Sequence, residues 1–256
     1  MEVEGPVSDE RVWGRNPVLA LLRSGSRRAD EVAVLAGARG PISEVVALAR
    51  RAGIKVSYRT RDQLTAIAGT GDHQGVVARV AAADYVDLED LLGVPARRRE
   101  VPFFLALDQI QDPRNFGALL RTADAFGVHG VVLPKHHAVG LTEAAARTAM
   151  GAVEFVGVAR ETNLVSALEK IKESGSWIYG AATDGGLSPW SVDLTGPLCL
   201  VLGSEGEGLR PLVARACDIL VSVPMGGGVR SLNVAAAGAV LCYEVARQRA
   251  RDPKTA

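Results

Sequence analysis

Three short blocks of this 256-residue chain hold residues whose types and spacing suit chemistry. In DPRNFGALLRTADAFG (112–127), Asn115 stands at a helix start and Arg121 lies two turns into an otherwise small and apolar helix. Arginine suits bidentate contact with a phosphate, because its planar guanidinium presents fixed paired donors. In LVLGSEGEGL (200–209), Glu205 sits in a glycine loop, where a carboxylate can accept backbone amides. In VSVPMGGGVRSLNVAAAG (221–238), Gly226, Gly227 and Gly228 precede Ser231 and Asn233. Consecutive glycines let a backbone approach a ligand closely. Each feature also has a plain structural reading: tight turns for the glycines, a solvated charge for Arg121, a loop charge for Glu205. Ser231 alone reads as the N-cap of the final helix. Asn233, one turn inside a helix of small residues, is harder to read that way.

Other chemistries are disfavoured. A dinucleotide fold places GxGxxG after the first strand of its unit, whereas these glycine loops follow late strands and Gly203, Gly206 and Gly208 are wrongly spaced. No GxxxxGK[ST] phosphate loop occurs, and the four histidines form no HxxH or HExxH pattern, so no metal site is expected. Cys199, Cys217 and Cys242 lack metal-ligand spacing and read as small buried residues in a reducing compartment. No apolar run reaches the ~20 residues of a membrane helix. The acidic start, MEVEGPVSDERVWG, is not a signal peptide. A cytoplasmic protein without a membrane partner is therefore expected. Net charge is zero, yet residues 1–83 carry 12 Lys and Arg against 9 Asp and Glu, so any basic face belongs at the front.

Strands and helices alternate along the chain. Asn16-Pro17 opens a helix closed by Gly25, EVAVLA (31–36) reads as a strand, and Pro41 starts a helix ending at Gly53. KVSY is a strand, Thr60 caps a helix running to Gly69, and GVVARV (75–80) completes a small α/β unit over residues 1–83. Residues 84–101 are charged and broken by Pro95, which predicts a linker with one helical turn. Beyond it, apolar strands at 101–107, GVVLP, EFVGV, WIYGAA, LCLVLG and DILVSVP alternate with helices, the last from about Leu232 to Arg249. Apolar strands of this kind predict a parallel sheet covered on both faces. Ligands bind such sheets beyond the carboxyl ends of the strands. The loops 108–115, 182–186, 203–208 and 225–231 are the candidates there.

Taken together, the three blocks resemble the three motifs of the SpoU (TrmH-type) ribose 2'-O-methyltransferases of the SPOUT superfamily. They occur in that family's order, and with TAMGAVEFVGVARETNL and WIYGAATDG the resemblance covers nearly all of 101–250. The front unit, with VWGRNPVLALL and HQGVVARV, is similar to the ribosomal-protein-like RNA-binding domain of some members, above all the bacterial 23S rRNA guanosine-2'-O-methyltransferases. Ala235 stands where many relatives have serine.

The resemblance implies an α/β fold whose 102–256 SPOUT domain carries a deep trefoil knot, behind an RNA-binding domain over 1–83 and a linker over 84–101. It implies S-adenosylmethionine as cofactor, with Thr183, Leu202, Gly203, Val223, Met225 and Leu232 around it. Asn115, Arg121, Glu205, Ser231 and Asn233 become the catalytic set: Arg121 on the target phosphate and ribose, Glu205 holding its loop, the others orienting the hydroxyl and loops. Glycines 226–228 would let the chain wrap the cofactor. The partners implied are 23S rRNA and a second copy of the chain, with no metal. A tRNA ribose methyltransferase, a resistance rRNA methyltransferase, a non-catalytic RNA-binding or assembly factor, and a nicotinamide enzyme are the competing readings.

Overall fold

A computed structural model of the chain describes residues 10–251. Its contacts divide it into two units, one made of residues up to Asp84 together with Ala149–Phe155, the other of Tyr85–Thr148 and Val156 onward.

The first unit holds a four-stranded sheet in the order β1-β4-β2-β3, from β1 (Glu10–Trp13), β2 (Ala29–Leu35), β3 (Lys55–Arg59) and β4 (Val76–Val80). Strand β1 is missing from the pattern-based expectation, because four residues are too short to show alternation. Helices α1 (Arg15–Ser24) and α2 (Pro41–Arg51) cover one face, around Val18, Leu21, Val32, Val45 and Val76. Helix α3 (Arg61–Ala68) contributes Leu64 and Ala68 to a second cluster with Ala33 and Val77. Thr60 caps α3 in a reciprocal capping box with Gln63, as its position predicts.

EFVGV does not begin a strand at Glu154. Residues Ala152–Glu154 form a short 3-10 turn, and the strand starts at Gly157. Glu154 is buried because its carboxylate accepts hydrogen bonds from Arg27 and from Ser26 Oγ (2.6 Å). Arg27 also reaches Glu10 at 2.8 Å. A buried charge paired in this way needs a turn that faces Arg27, and an extended strand start does not supply it.

In the second unit six parallel strands run in the order β10-β8-β9-β5-β6-β7. They are β5 (Phe103–Leu107), β6 (Gly130–Pro134), β7 (Gly157–Glu161), β8 (Trp177–Ala181), β9 (Leu198–Leu202) and β10 (Ile219–Val221). Strands β5, β6 and β9 are buried at every residue, as a sheet covered on both faces requires. The expected linker is structured: α4 (Leu88–Leu92) and α5 (Val94–Arg98) occupy it, and Leu88 and Leu91 enter the core. Gly130 makes this possible, since a Cβ there would stand 2.3 Å from the Leu91 side chain. Helices α6 (Pro113–Ala125), α7 (Glu143–Ala149), α8 (Leu164–Glu173), α9 (Pro211–Ala216) and α10 (Val234–Arg249) complete the chain.

His129 is buried just ahead of β6. Phe103 N–H donates to its Nδ1 (3.1 Å), so its Nε2–H donates to Glu100 (2.9 Å) and the ring is neutral. Burial holds its pKa below the usual histidine value despite Glu100. The unfolded chain therefore binds this proton more readily than the folded one, so the contribution is complete above about pH 6.5 and falls as pH drops through the folded pKa. Urea unfolding at pH 7.5 and 5.5 is expected to show a stability loss that shrinks in His129→Gln.

Candidate active site

All three motif blocks reach the carboxyl edge of one parallel sheet, at the adjacent strands β5 and β9 and at β10, two places from β9. Helix α6 follows β5, the Gly203–Gly208 loop follows β9, and α10 begins after the segment that leaves β10. Because β9 pairs with β5, the first two loops are neighbours in space although far apart in the chain, and the segment that leaves β10 returns past β8 to meet them.

Asn115, Glu205 and Asn233 form one cluster. Asn115 Nδ2 donates to Glu205 Oε1 (3.0 Å) and Asn233 Nδ2 donates to Asn115 Oδ1 (3.0 Å). Asn233 Nδ2 also donates to Glu205 Oε1. The carboxylate thus gathers two amides from two other motifs, which ties the three loops together. Asn233, rather than Ser231, is the N-cap of the last helix: its Oδ1 accepts from Ala235 N (2.9 Å) and Ala236 N (3.3 Å). The helix starts at Val234, later than the sequence predicts, because the capping side chain must stay outside it to reach Glu205.

Capping and linking can be separated. Asn233→Ala is expected to cost about 1 kcal/mol of stability, while Asn233→Ser keeps most of it through its own capping oxygen. Both lose the amide donor to Glu205, so both are expected to slow turnover. Thermal melts and a turnover assay on the two variants check this.

Behind the cluster is a cavity of about 320 Å³. Thr183, Leu202, Gly203, Val223, Met225 and Leu232 line it, with Glu205, Ser231 and Asn233 also on its walls. Ser231 is exposed and makes no hydrogen bond among the described residues. Within the same residues, the backbones of Gly203, Val223 and Leu232 make no hydrogen bond either. Of these only Gly203 is buried, and backbone groups in such a wall pair with water or with a bound molecule. The floor is Val234, Ala237 and Leu241 of α10, and Arg230 stands on the wall; none of these four was picked out from the sequence.

Close approach of backbones is decided at Gly203 and Gly186. A Cβ on Gly203 would lie 2.2 Å from the Gly208 carbonyl, and one on Gly186 2.6 Å from Val221 C. Ser204 and Gly208 exchange backbone hydrogen bonds of 3.1 and 3.0 Å across the loop, and Gly206 and Gly208 take positive φ. At Gly226, Gly227 and Gly228 a Cβ would meet nothing within 4 Å, and none has positive φ. Packing among the described residues does not demand glycine at those three positions.

Arg121 is placed elsewhere. It is exposed on α6, does not line the cavity and has no hydrogen bond or ion pair among the described residues. Six residues of helix put it ~9 Å along the axis from Asn115. Three of the five candidate catalytic residues, Glu205, Ser231 and Asn233, line the cavity, Asn115 is hydrogen-bonded to two of them, and Arg121 is left exposed on α6.

One important pair was not singled out from the sequence. Asp108, fully buried at the end of β5, accepts Arg210 N (2.9 Å) and Arg210 Nε (2.8 Å) and pairs with a guanidinium Nη2 at 2.7 Å. This clamps the far end of the Gly203–Gly208 loop to the sheet. An acid directly after an apolar strand was the available signal. The three thiols take no part: burial raises all of them, Cys217 and Cys242 to about 12. Among the described residues no His, Cys, Asp and Glu cluster could hold a metal ion, and no helix is long and apolar enough to cross a membrane.

Comparison with known proteins agrees with this geometry. Residues 102–243 match the SpoU rRNA Methylase family, and residues 11–86 match the RNA 2'-O ribose methyltransferase substrate binding family. A putative TrmH family tRNA/rRNA methyltransferase of Bacillus subtilis, YacO, is 43% identical over 93% of this chain and 95% of its own. The 23S rRNA (guanosine-2'-O-)-methyltransferase RlmB of Shewanella oneidensis is 39% identical over 93% of this chain and 97% of its own. Among solved structures, the SpoU methyltransferase AviRb from Streptomyces viridochromogenes, in complex with the cofactor AdoMet, superimposes with a TM-score of 0.77. It is 25% identical, covering 95% of this chain and 92% of that one. With its three motifs at one sheet edge and identity of this order over nearly its full length, this chain belongs to the SpoU/TrmH family of RNA ribose 2'-O-methyltransferases.

Proposed function

We propose that this protein transfers a methyl group from S-adenosylmethionine to the ribose 2'-hydroxyl of a guanosine in 23S rRNA. The observation that carries the reading is the Asn115–Glu205–Asn233 cluster at the wall of the cavity formed by the second and third motifs. Identity of about 40% to RlmB enzymes over almost the whole chain supports the rRNA guanosine.

The cavity fits the cofactor. Its size lies within the range of small-molecule sites, and the uncommitted backbones of Gly203, Val223 and Leu232 suit adenosine recognition. Gly203 and Gly186 allow two chain segments to cross without side-chain collision, which supports the family's trefoil knot here. Bound there, S-adenosylmethionine supplies an electrophilic methyl group on sulfur.

The residues of the chain then do the rest. Glu205, held by two amides, fixes the second loop, while Asn115 and Asn233 fix the first and third. This orients the hydroxyl for in-line attack, and positioning of this kind supplies much of the acceleration. Arg121 binds the phosphate and ribose of the target nucleotide, its fixed charge favouring negative charge developing on the attacking oxygen. A guanidinium keeps its proton across the working pH range, so Arg121 acts by charge.

We assign the front unit to RNA binding and infer a homodimer. Val240 and Tyr243 of α10 are 42% and 58% exposed, an apolar face that a second copy would cover. In that assembly the exposed Arg121 of one subunit completes the site of the other. Sedimentation of a fully active monomer would remove the dimer from this reading. Comparison of ribose methylation in rRNA and tRNA from cells with and without the protein tests the substrate. Loss of one 2'-O-methylguanosine from 23S rRNA is expected; loss from tRNA alone establishes the tRNA reading that the B. subtilis relative's name leaves open.

A further inference from the structure

Away from the cavity, on the same carboxyl edge of the sheet, lies a second cleft of about 470 Å³, lined by Tyr85, Val86, Asp87, Lys135, His136 and Arg160. Lys135 and His136 directly follow β6, and Arg160 is near the end of β7. These strands are one and two places beyond β5 in an all-parallel sheet. At about 4.8 Å per strand, the strands of the cleft lie roughly 5–10 Å from β5 and roughly 10–15 Å from β9.

The cleft is built. Val86 N donates to Val158 O (2.9 Å), fixing Tyr85 beside β7. The Tyr85 hydroxyl accepts Leu141 N–H (2.8 Å), which pins the loop after β6. Gly140 permits this, since a Cβ there would stand 2.5 Å from the hydroxyl. Arg160 is stacked over the Tyr85 ring at 4.8 Å and donates Nη2 to the Lys135 carbonyl (2.7 Å), while its buried Nε has no partner. Lys135 and His136 are exposed, and neither Lys135 nor Arg160 has an ion pair among the described residues. Asp87 is the one carboxylate on the walls. Two fixed cations and a histidine face a cleft with a single acid, on the edge where the substrate strand must lie.

We infer that this cleft binds a backbone phosphate of the RNA substrate, on a nucleotide neighbouring the one methylated, through Lys135 and Arg160. The inference rests on RNA being the substrate. A polymer lying across the active site extends beyond one nucleotide, and phosphate contacts set its register without reading sequence. The planar fork of Arg160, pre-oriented by Tyr85, and the point charge of Lys135 are complementary phosphate donors.

The test compares full-length wild type with Lys135→Ala, Lys135→Arg and Lys170→Ala by gel shift on a 23S rRNA fragment and a tRNA transcript at several salt concentrations. Lys170, in the last turn of α8, is paired with Glu89 at 2.7 Å and does not line the cleft, so it controls for loss of any one charge. Lys135→Ala is expected to weaken RNA binding about fivefold and to lower the salt slope by about 0.7. Lys135→Arg is expected to stay near wild type, with S-adenosylmethionine affinity and kcat at saturating RNA unchanged in every variant. An affinity within twofold of wild type with an unchanged slope in Lys135→Ala, or an equal loss in Lys170→Ala, overturns the inference. Methyl transfer by wild type to tRNA and not to rRNA would instead sink the rRNA reading, and the variant comparison on the accepted RNA would still decide the cleft.

Discussion

Arg121→Ala is expected to lose at least a hundredfold in methyl transfer while binding S-adenosylmethionine as tightly as the wild type. Arg121 lies on the outer surface of α6, outside the cavity that the second and third motifs enclose, so its removal leaves the cofactor's surroundings intact. A cationic donor that acts mainly in the transition state is worth about 3 kcal/mol or more, hence the hundredfold. Arg121→Lys is expected to rescue little, because a point charge does not reproduce the planar fork. With no partner among the described residues, the side chain contributes little to folding, so the melting curve stays within a few tenths of a kcal/mol of wild type. Single-turnover transfer of labelled methyl to a 23S rRNA fragment, beside calorimetry with the cofactor, measures both. Wild-type rates in the alanine variant would make Arg121 a surface charge.

Asp108→Ala is expected to act the opposite way, costing about 3 kcal/mol of stability and weakening the cofactor site. Asp108 is fully buried and holds both the backbone N–H and the guanidinium of Arg210. Removing one partner of such a pair leaves an uncompensated charge and an orphan amide, which places the loss at 3–5 kcal/mol. The Arg210 side chain is 42% exposed and regains part of its hydration, which favours the lower end. Since the pair anchors the Gly203–Gly208 loop, S-adenosylmethionine affinity falls as well. Urea unfolding is expected to show a lower midpoint with an unchanged slope. An unchanged midpoint would mean that the loop is held by Gly203 packing alone.

Much of the fold is local and was legible in the chain. Apolar strands, Pro at helix starts, Gly at helix ends and the Thr60 capping box act within a few residues, so periodicity and cap chemistry located nearly every element. Spacing and residue type also marked Asn115, Glu205 and Asn233, and the resemblance named Thr183, Leu202, Gly203, Val223, Met225 and Leu232, which are among the residues lining the cavity. What the chain could not show is which distant residue answers which. Ser231 and Asn233 are equally good caps by type. The choice fell to Asn233 because its amide meets Asn115, 118 positions earlier, and Glu205, 28 earlier. Glu154 leaves the strand pattern for Arg27, 127 positions away, and Asp108 finds Arg210 across 102. The Asn115–Glu205–Asn233 and Asp108–Arg210 pairings depend on strand order in the second unit, above all on β9 lying between β8 and β5. Local propensity acts over a turn of helix or a pleat of strand, whereas a buried charge takes whichever partner the assembled sheet brings within hydrogen-bond reach. The sequence by itself determined the elements and the chemical types at their ends; only the tertiary structure decided which of those ends meet.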